Sequence, residues 1–220
     1  MHKDFNFSLV PEVILDRHPE YVELYKKAWD IASDHVHDTP GLPVEHHMDE
    51  GFAPDRNWIW DTCFMVHYCK YSPGFFPGIQ SLDNFYLPLH DKVKSSCLIQ
   101  HPDNPPLFAW VEYDYYRFTG DASRIHRNLV EKRYLQRHYD FVENGKLGDR
   151  CPSSFLMNTL QKNECGYFWS GIASGMDNTP RGNDTYTNLY WVDALAQQAL
   201  SALYIARMAA LIGENYIESE

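Results

Sequence analysis

Helical periodicity dominates the chain and most limits the folds that it can adopt. Apolar side chains recur every three or four residues over residues 187–212, at positions 189, 192, 195, 199, 203, 206 and 210. The same spacing runs from Pro19 to about Val36, where the proline suits the first turn of a helix. Alternating strand patterns are almost absent. The sequence therefore predicts an all-α chain.

Further helices are expected between these two, each bounded by Gly, Pro or a capping residue. The expected spans are Trp60–Tyr71, Ile79 to about His90, Pro105–Phe118, and a more polar helix capped by Asp121 and running to about Asn144. Residues 38–57 are rich in Pro, Gly, His and acids, and we expect a long ordered loop there. Because long loops precede the more apolar helices, the pattern indicates helical hairpins arranged as a toroid within a single domain, residues 1–220.

Composition excludes several classes of function. The chain has 220 residues, of which 44% are apolar, and a net charge of −11 without any Lys/Arg cluster, so nucleic acid is not an expected partner. No stretch approaches the roughly 18 apolar residues of a membrane span, and no targeting signal is visible, so we expect no membrane partner and a cytoplasmic location. The five cysteines lack a C-x-x-C pair, which favours free thiols.

Aromatic residues are unusually frequent, at 15% of the chain. Flat rings beside Asp, Asn and Arg can stack on the apolar faces of sugars while the polar groups bond the hydroxyls. Aromatic side chains also fill helical cores, and most of these rings are expected to do so.

Three segments contain the candidate functional residues, and each lies at or just before the start of an expected apolar helix. They are Arg56–Thr62 (RNWIWDT), Asn104–Trp110 (NPPLFAW) and Ser170–Arg181 (SGIASGMDNTPR). In a toroid these segments would meet at one end. The last of them presents Asp177 in a Gly-rich turn near aromatic residues, where desolvation can raise the pKa of a carboxyl group and suit it to donate a proton.

Taken in order, the three segments resemble the (α/α)6-barrel glycoside hydrolases of family 63 and of the family 37 trehalases, including the mannosylglycerate hydrolase-like group. The resemblance implies an inverting hydrolase, without a cofactor, that acts on an α-linked glucoside or mannoside-type carbohydrate. Asp177 would be the general acid, and Trp60 and Asp61 would line the subsite of the cleaved sugar. Arg56 and Arg181 would border the same pocket. Asn104 stands where relatives usually have Gln.

The resemblance leaves the general base outside this chain, because relatives place a Glu in the last third of a barrel that needs roughly twice this length. Glu112 and Glu164 have aromatic neighbours in sequence, but neither matches that position. We therefore expect the N-terminal half of a barrel, which would self-associate or need a second chain to cover its open faces. The alternative is a non-catalytic glycan-binding or assembly module. A sugar epimerase would need acid and base histidines, for which His101 and His138 show no context.

Simpler structural roles stay open for each candidate. Asp61 and Thr62 could cap a helix, Trp60 could belong to a core, and Asp177 could form an Asx turn. Asn104 before proline suits an ordinary loop, and Arg181 could brace one. His46, His47, Asp49 and Glu50 resemble metal ligands in type, but we expect a solvated loop and no metal site because adjacent residues coordinate one ion awkwardly.

Overall fold

A computed structural model describes residues 5–49, 56–96, 98–99, 107–144, 161–169 and 189–213. These residues are mostly helical, which is compatible with the expected all-α class. The helices are α1 (Pro19–Asp34), α2 (Ile59–Cys69), α3 (Gly78–Ser81), α4 (Asp83–Asp91), α5 (Phe108–Thr119), α6 (Ala122–His126), α7 (Tyr134–Glu143) and α8 (Val192–Ile212). Short strands lie between them: β1 (Val36–Asp38), β2 (His46–Met48), β3 (Arg56–Asn57), β4 (Leu98–Ile99), β5 (Gln161–Asn163), β6 (Gly166–Trp169) and β7 (Leu189–Tyr190).

Helices α2 and α5 pack side by side and run in the same direction. Their contacts advance together along both helices: Phe64 with Trp110 (ring centroids 6.2 Å apart), Lys70 with Asp114, and Tyr71 with Phe118 (5.0 Å). The strands that precede the two helices are also neighbours, since β3 pairs with β4 in parallel, Arg56 opposite Leu98. The chain therefore enters both helices from the same end.

Helix α5 reverses at Gly120, whose left-handed φ of 72° suits a residue without a side chain, and continues into α6. The contacts across this reversal run in opposite order, Glu112 meeting Arg124 and Phe108 meeting His138. The result is a helical hairpin. Helix α4 packs against another side of this hairpin. Its start contacts α6 and its end contacts α7, so α4 runs parallel to α6 and α7.

The polar helix predicted from Asp121 to about Asn144 is interrupted. After α6 the chain makes a π-helical turn over Arg127–Glu131, and Arg133 takes a left-handed φ of 52° before α7 begins. The wider turn buries the consecutive residues Asn128 and Leu129, and the Asn128 amide donates to Glu112 Oε1 at 2.9 Å. The helix predicted at residues 79–90 is likewise divided, into α3 and α4.

The main core lies between these hairpins and is built largely of aromatic and branched side chains. Tyr86 of α4 stacks on Tyr134 of α7 with centroids 5.1 Å apart, and Phe108 of α5 lies 4.7 Å from Tyr86. All three rings are buried. Most of the aromatic residues that the structure describes in this cluster therefore serve packing, as the sequence indicated.

Helix α8 turns its most apolar face outward. The periodic positions that predicted this helix include Val192, Leu195 and Leu203, which are 73%, 56% and 45% exposed. Its buried face carries Gln198 and Met208 among smaller residues and packs on α5 and α7. In the part of the chain that the structure describes, these periodic residues therefore form an exposed apolar surface.

By length and composition, α8 could also cross a membrane, since its most apolar 18-residue window has a mean hydropathy of 1.3. This differs from the expectation that no stretch would qualify. Core helices of soluble proteins pass the same test. The Gln198 amide donates to Tyr139 O and Glu143 Oε1 of α7, at 3.3 and 3.0 Å, so this part of α8 is anchored in protein.

Candidate functional site

Trp60 and Asp61 lie in the first turn of α2, at the end from which the chain also enters α5. Trp60 is half-buried and Asp61 is exposed. The helix begins after Trp58, which makes no side-chain capping bond, while Thr62 donates its hydroxyl to Trp58 O at 2.9 Å. Asp61 therefore does not occupy the capping position, although its carboxylate suits the positive end of the helix dipole. Trp60 is likewise not a fully buried core residue.

An aromatic row continues from Trp60 across the surface shared by α2 and α5. We use this name for Trp60, Phe64 and His67 of α2 together with Trp110 of α5. Phe64 lies edge-on to Trp60 at 5.4 Å and to Trp110 at 6.2 Å, and the His67 ring lies 4.2 Å from Trp110. Phe64 is 42% exposed. Trp60 and Trp110 are half-buried, so the row is partly exposed, and the helix that carries three of its rings also carries the exposed Asp61.

The far end of the row is polar. His67 Nδ1 lies 2.8 Å from Asp114 Oδ2, and Lys70 donates to the same oxygen. Burial acts to raise the pKa of Asp114, but the hydrogen bonds from Lys70 and His67 outweigh it and lower the pKa below its ordinary value. Sequence reasoning missed this trio. The available signal was the spacing of His67 and Lys70 on one helix and of Trp110 and Asp114 on another.

Arg56 lies in β3, half-buried and directly before the turn that leads to Trp60. Asn104, Asp177 and Arg181 lie outside the described residues. The structure nevertheless describes the chain on both sides of the segment that contains Asp177 and Arg181. Strand β6 ends at Trp169, which pairs with Leu189 at the start of β7, and α8 follows.

Glu112, one of the two acids with aromatic neighbours, has a structural role. Its carboxylate is buried and accepts bonds from Arg124 Nε at 2.8 Å and from Tyr86 Oη at 3.1 Å. Burial raises the pKa of Glu112, and the Arg124 guanidinium opposes that shift. Arg124 also pairs with Asp83 at 3.2 Å, so the network ties α4, α5 and α6 together. Glu164, the other acid, is exposed in the turn between β5 and β6.

The histidine-rich stretch at residues 46–49 is not a solvated loop. It forms β2, which pairs with β1, and both His47 and Asp49 are buried. His46 bonds the exposed Asp38 at 2.8 Å, whereas Asp49 turns toward two histidines at the end of α1 and in β1. The expectation of a solvated loop is therefore wrong for residues 46–49, because strand pairing buries His47 and Asp49. Glu50 lies outside the described residues.

No protein-family model matches the chain, and no solved structure matches it. The chain is 22% identical over 222 residues to an uncharacterized protein of Borreliella burgdorferi. The alignment covers 91% of this chain and 41% of that protein, so the chain spans about two fifths of its relative's length.

Proposed function

We propose that this chain is part of an inverting glycoside hydrolase of the six-hairpin (α/α)6 kind, with Asp177 as the general acid. The observation that carries the proposal is the shared direction of α2 and α5. It brings the start of α2, with Trp60 and Asp61, to the same end as the start of α5. Side-by-side hairpins with parallel neighbouring helices are the local arrangement that such a toroid needs.

Trp60 and Asp61 would hold the sugar that is cleaved. The Trp60 ring would stack on an apolar sugar face, and the exposed Asp61 carboxylate would accept hydrogen bonds from hydroxyl groups. Arg56 and Arg181 would border this pocket, and Asn104 would bond a hydroxyl through its amide. The substrate class that this arrangement favours is an α-linked glucoside or mannoside.

The mechanism requires two carboxyl groups on opposite faces of the glycosidic bond, about 6.5–9.5 Å apart. Asp177 would protonate the departing oxygen, and a Glu outside this chain would activate water. Glu112 is committed to Arg124 and Glu164 lies in an exposed turn, so neither is assigned as that base. The longer relative and the open apolar face of α8 support a barrel that is completed by further hairpins.

The pocket assignment is tested by measuring carbohydrate binding to the Asp61→Asn and Trp60→Ala variants by calorimetry. Both should weaken binding of the α-linked substrate about tenfold or more, since each removes a hydrogen-bond or stacking partner. The matched control is Asp38→Asn, which changes an exposed carboxylate away from the row. Equal affinities for all variants would contradict the assignment. Sugar binding without turnover by the full-length protein would favour the non-catalytic glycan-binding module.

A further inference from the structure

We propose that His35, His37 and Asp49 form a binding site for a divalent transition-metal ion, with Zn²⁺ as the best fit. His35 Nδ1 lies 3.0 Å from Asp49 Oδ1, and His37 Nε2 lies 3.1 Å from Asp49 Oδ2. The three ligand atoms all lie within 4.8 Å of one another. This site is separate from the aromatic row, and the inference does not depend on the proposed glycosidase activity.

The backbone explains why these three side chains meet. Strands β1 and β2 pair antiparallel, with Val36 opposite Met48, and the Asp49 amide donates to His35 O at 3.1 Å. His35 therefore stands opposite Asp49 at the next position of the ladder. His37 pairs with His47, and residues two apart along a strand project to the same face, so His37 lies on the side toward which Asp49 also projects, where both histidines contact the carboxylate. The grouping follows from strand register, because register fixes which face each side chain occupies.

The donor set suits zinc. Imidazole nitrogens and a carboxylate oxygen bind Zn²⁺ at about 2.0–2.2 Å, which places neighbouring ligand atoms of a tetrahedron roughly 3.3–3.5 Å apart. The two nitrogen–oxygen separations here, 3.0 and 3.1 Å to different oxygens of Asp49, are close to that range, and all three ligand atoms lie within 4.8 Å, so the side chains must adjust to hold an ion. Two histidines and one carboxylate are also the ligands of non-haem iron sites, so Zn²⁺ and Fe²⁺ form the relevant class.

The surroundings allow a metal ion to reach the site. They also leave one of its coordination positions open. The Asp49 side chain is only 7% exposed, whereas those of His35 and His37 are 32% and 41% exposed. A buried carboxylate thus supplies negative charge beneath two imidazoles that solvent reaches. A water molecule can complete a tetrahedron on the open side, or the imidazole of His47, whose ring centroid lies 6.2 Å from that of His37, can approach.

The site can be tested by titrating the metal-free protein with Co²⁺ and Zn²⁺. We expect one ion per chain and the visible absorption bands of four-coordinate Co²⁺, displaced by Zn²⁺. His37→Gln and Asp49→Asn should each weaken binding more than about tenfold, because each removes a direct ligand. His46→Gln is the matched control, since His46 lies on the same hairpin and bonds Asp38. It should bind like the unaltered protein.

A stability measurement covers the case in which Asp49→Asn does not fold. Zn²⁺ at about a hundred times its dissociation constant should raise the Tm of the unaltered protein by roughly 5–10 °C, and should not raise that of His37→Gln. His37 is partly exposed, so its replacement should leave the fold intact. Absence of stoichiometric binding, or equal binding by His37→Gln and the unaltered protein, would overturn the proposal and leave two His–Asp contacts at one carboxylate.

Discussion

Asp114 of α5 joins His67 of α2 to Lys70, which directly follows that helix, because its Oδ2 lies 2.8 Å from His67 Nδ1 and also accepts from Lys70 Nζ. The Lys70 side chain is only 11% exposed, so its ammonium group depends on this carboxylate more than a surface lysine would. The trio thus holds the two parallel helices together at the far end of the aromatic row.

Asp114→Asn should lower the free energy of unfolding by about 1–3 kcal/mol, because it removes the charge from a partly buried hydrogen-bonded pair. Urea denaturation measures the change, and Asp16→Asn serves as an exposed control. A double-mutant cycle with Lys70→Met isolates the pair. Strictly additive effects would contradict a direct interaction between Asp114 and Lys70.

Glu112→Gln should be more costly, at about 3–5 kcal/mol, since it removes one of the carboxylates that compensate the buried Arg124 guanidinium. Glu164→Gln is the matched control and should change stability by no more than about 0.5 kcal/mol, because Glu164 is exposed. Urea denaturation of both variants distinguishes them. Similar urea midpoints for Glu112→Gln and Glu164→Gln would show that Glu112 does not stabilise the helix hairpins.

Stability should fall as the pH drops below about 6.5, through two buried histidines. Burial lowers the pKa of His90 to about 3, with a further contribution from Arg137, and burial also places the pKa of His138 well below its ordinary value. Asp91 opposes the shift at His90. Both rings therefore stay neutral in the folded chain, whereas the unfolded chain binds protons below its higher pKa.

Each histidine should contribute a loss of about 1.4 kcal/mol per pH unit between its unfolded and folded pKa values. Denaturation at pH 7 and pH 5 measures this slope. His138→Phe should remove the contribution of one histidine to this slope. The His138 ring lies against Phe108 and Phe141, and neither of its nitrogens has a hydrogen-bond partner among the described residues. A variant that keeps the full slope would rule out His138 as a source.

The open face of α8 predicts self-association of this chain. Burying exposed apolar side chains such as Leu195 and Leu203 against another surface is favourable by about 25 cal/mol per Å². Leu195→Lys combined with Leu203→Lys should shift the sedimentation coefficient to that of a monomer. Leu24→Lys, on the exposed surface of α1, should not. A compact, thermally stable monomer of the unaltered chain would contradict this prediction.

Sequence periodicity located the helices because three- and four-residue spacing is a local property. It could not decide whether the apolar stripe of α8 is covered, since that depends on what packs against it. The π turn at Asn128 was also missed, because it is stabilised by burial and by a contact with another helix, and so was the left-handed Arg133 that follows it. The sequence indicated that Asp49 is of a metal-ligand type, but it could not indicate which histidines lie beside it, because that depends on strand register.

The candidate sugar site was likewise only partly predictable from the sequence. The motif predicted Trp60 and Asp61, and the structure places both at the start of α2, accessible to solvent and not committed to the core or to the helix cap. The motif could not reveal that Trp110 of α5 lies against Phe64 and His67 of α2. Those contacts require α2 and α5 to run in the same direction, which no local pattern encodes.

The central claim is that Asp177 is the acid of a glycoside hydrolase. Its most direct test is the turnover of α-linked glucosides and mannosides by the full-length protein and by its Asp177→Asn variant. The account predicts that the variant keeps its affinity for the sugar and loses about 10²–10⁴-fold or more in kcat, because the amide cannot donate the required proton. An unchanged kcat in the Asp177→Asn variant would contradict it.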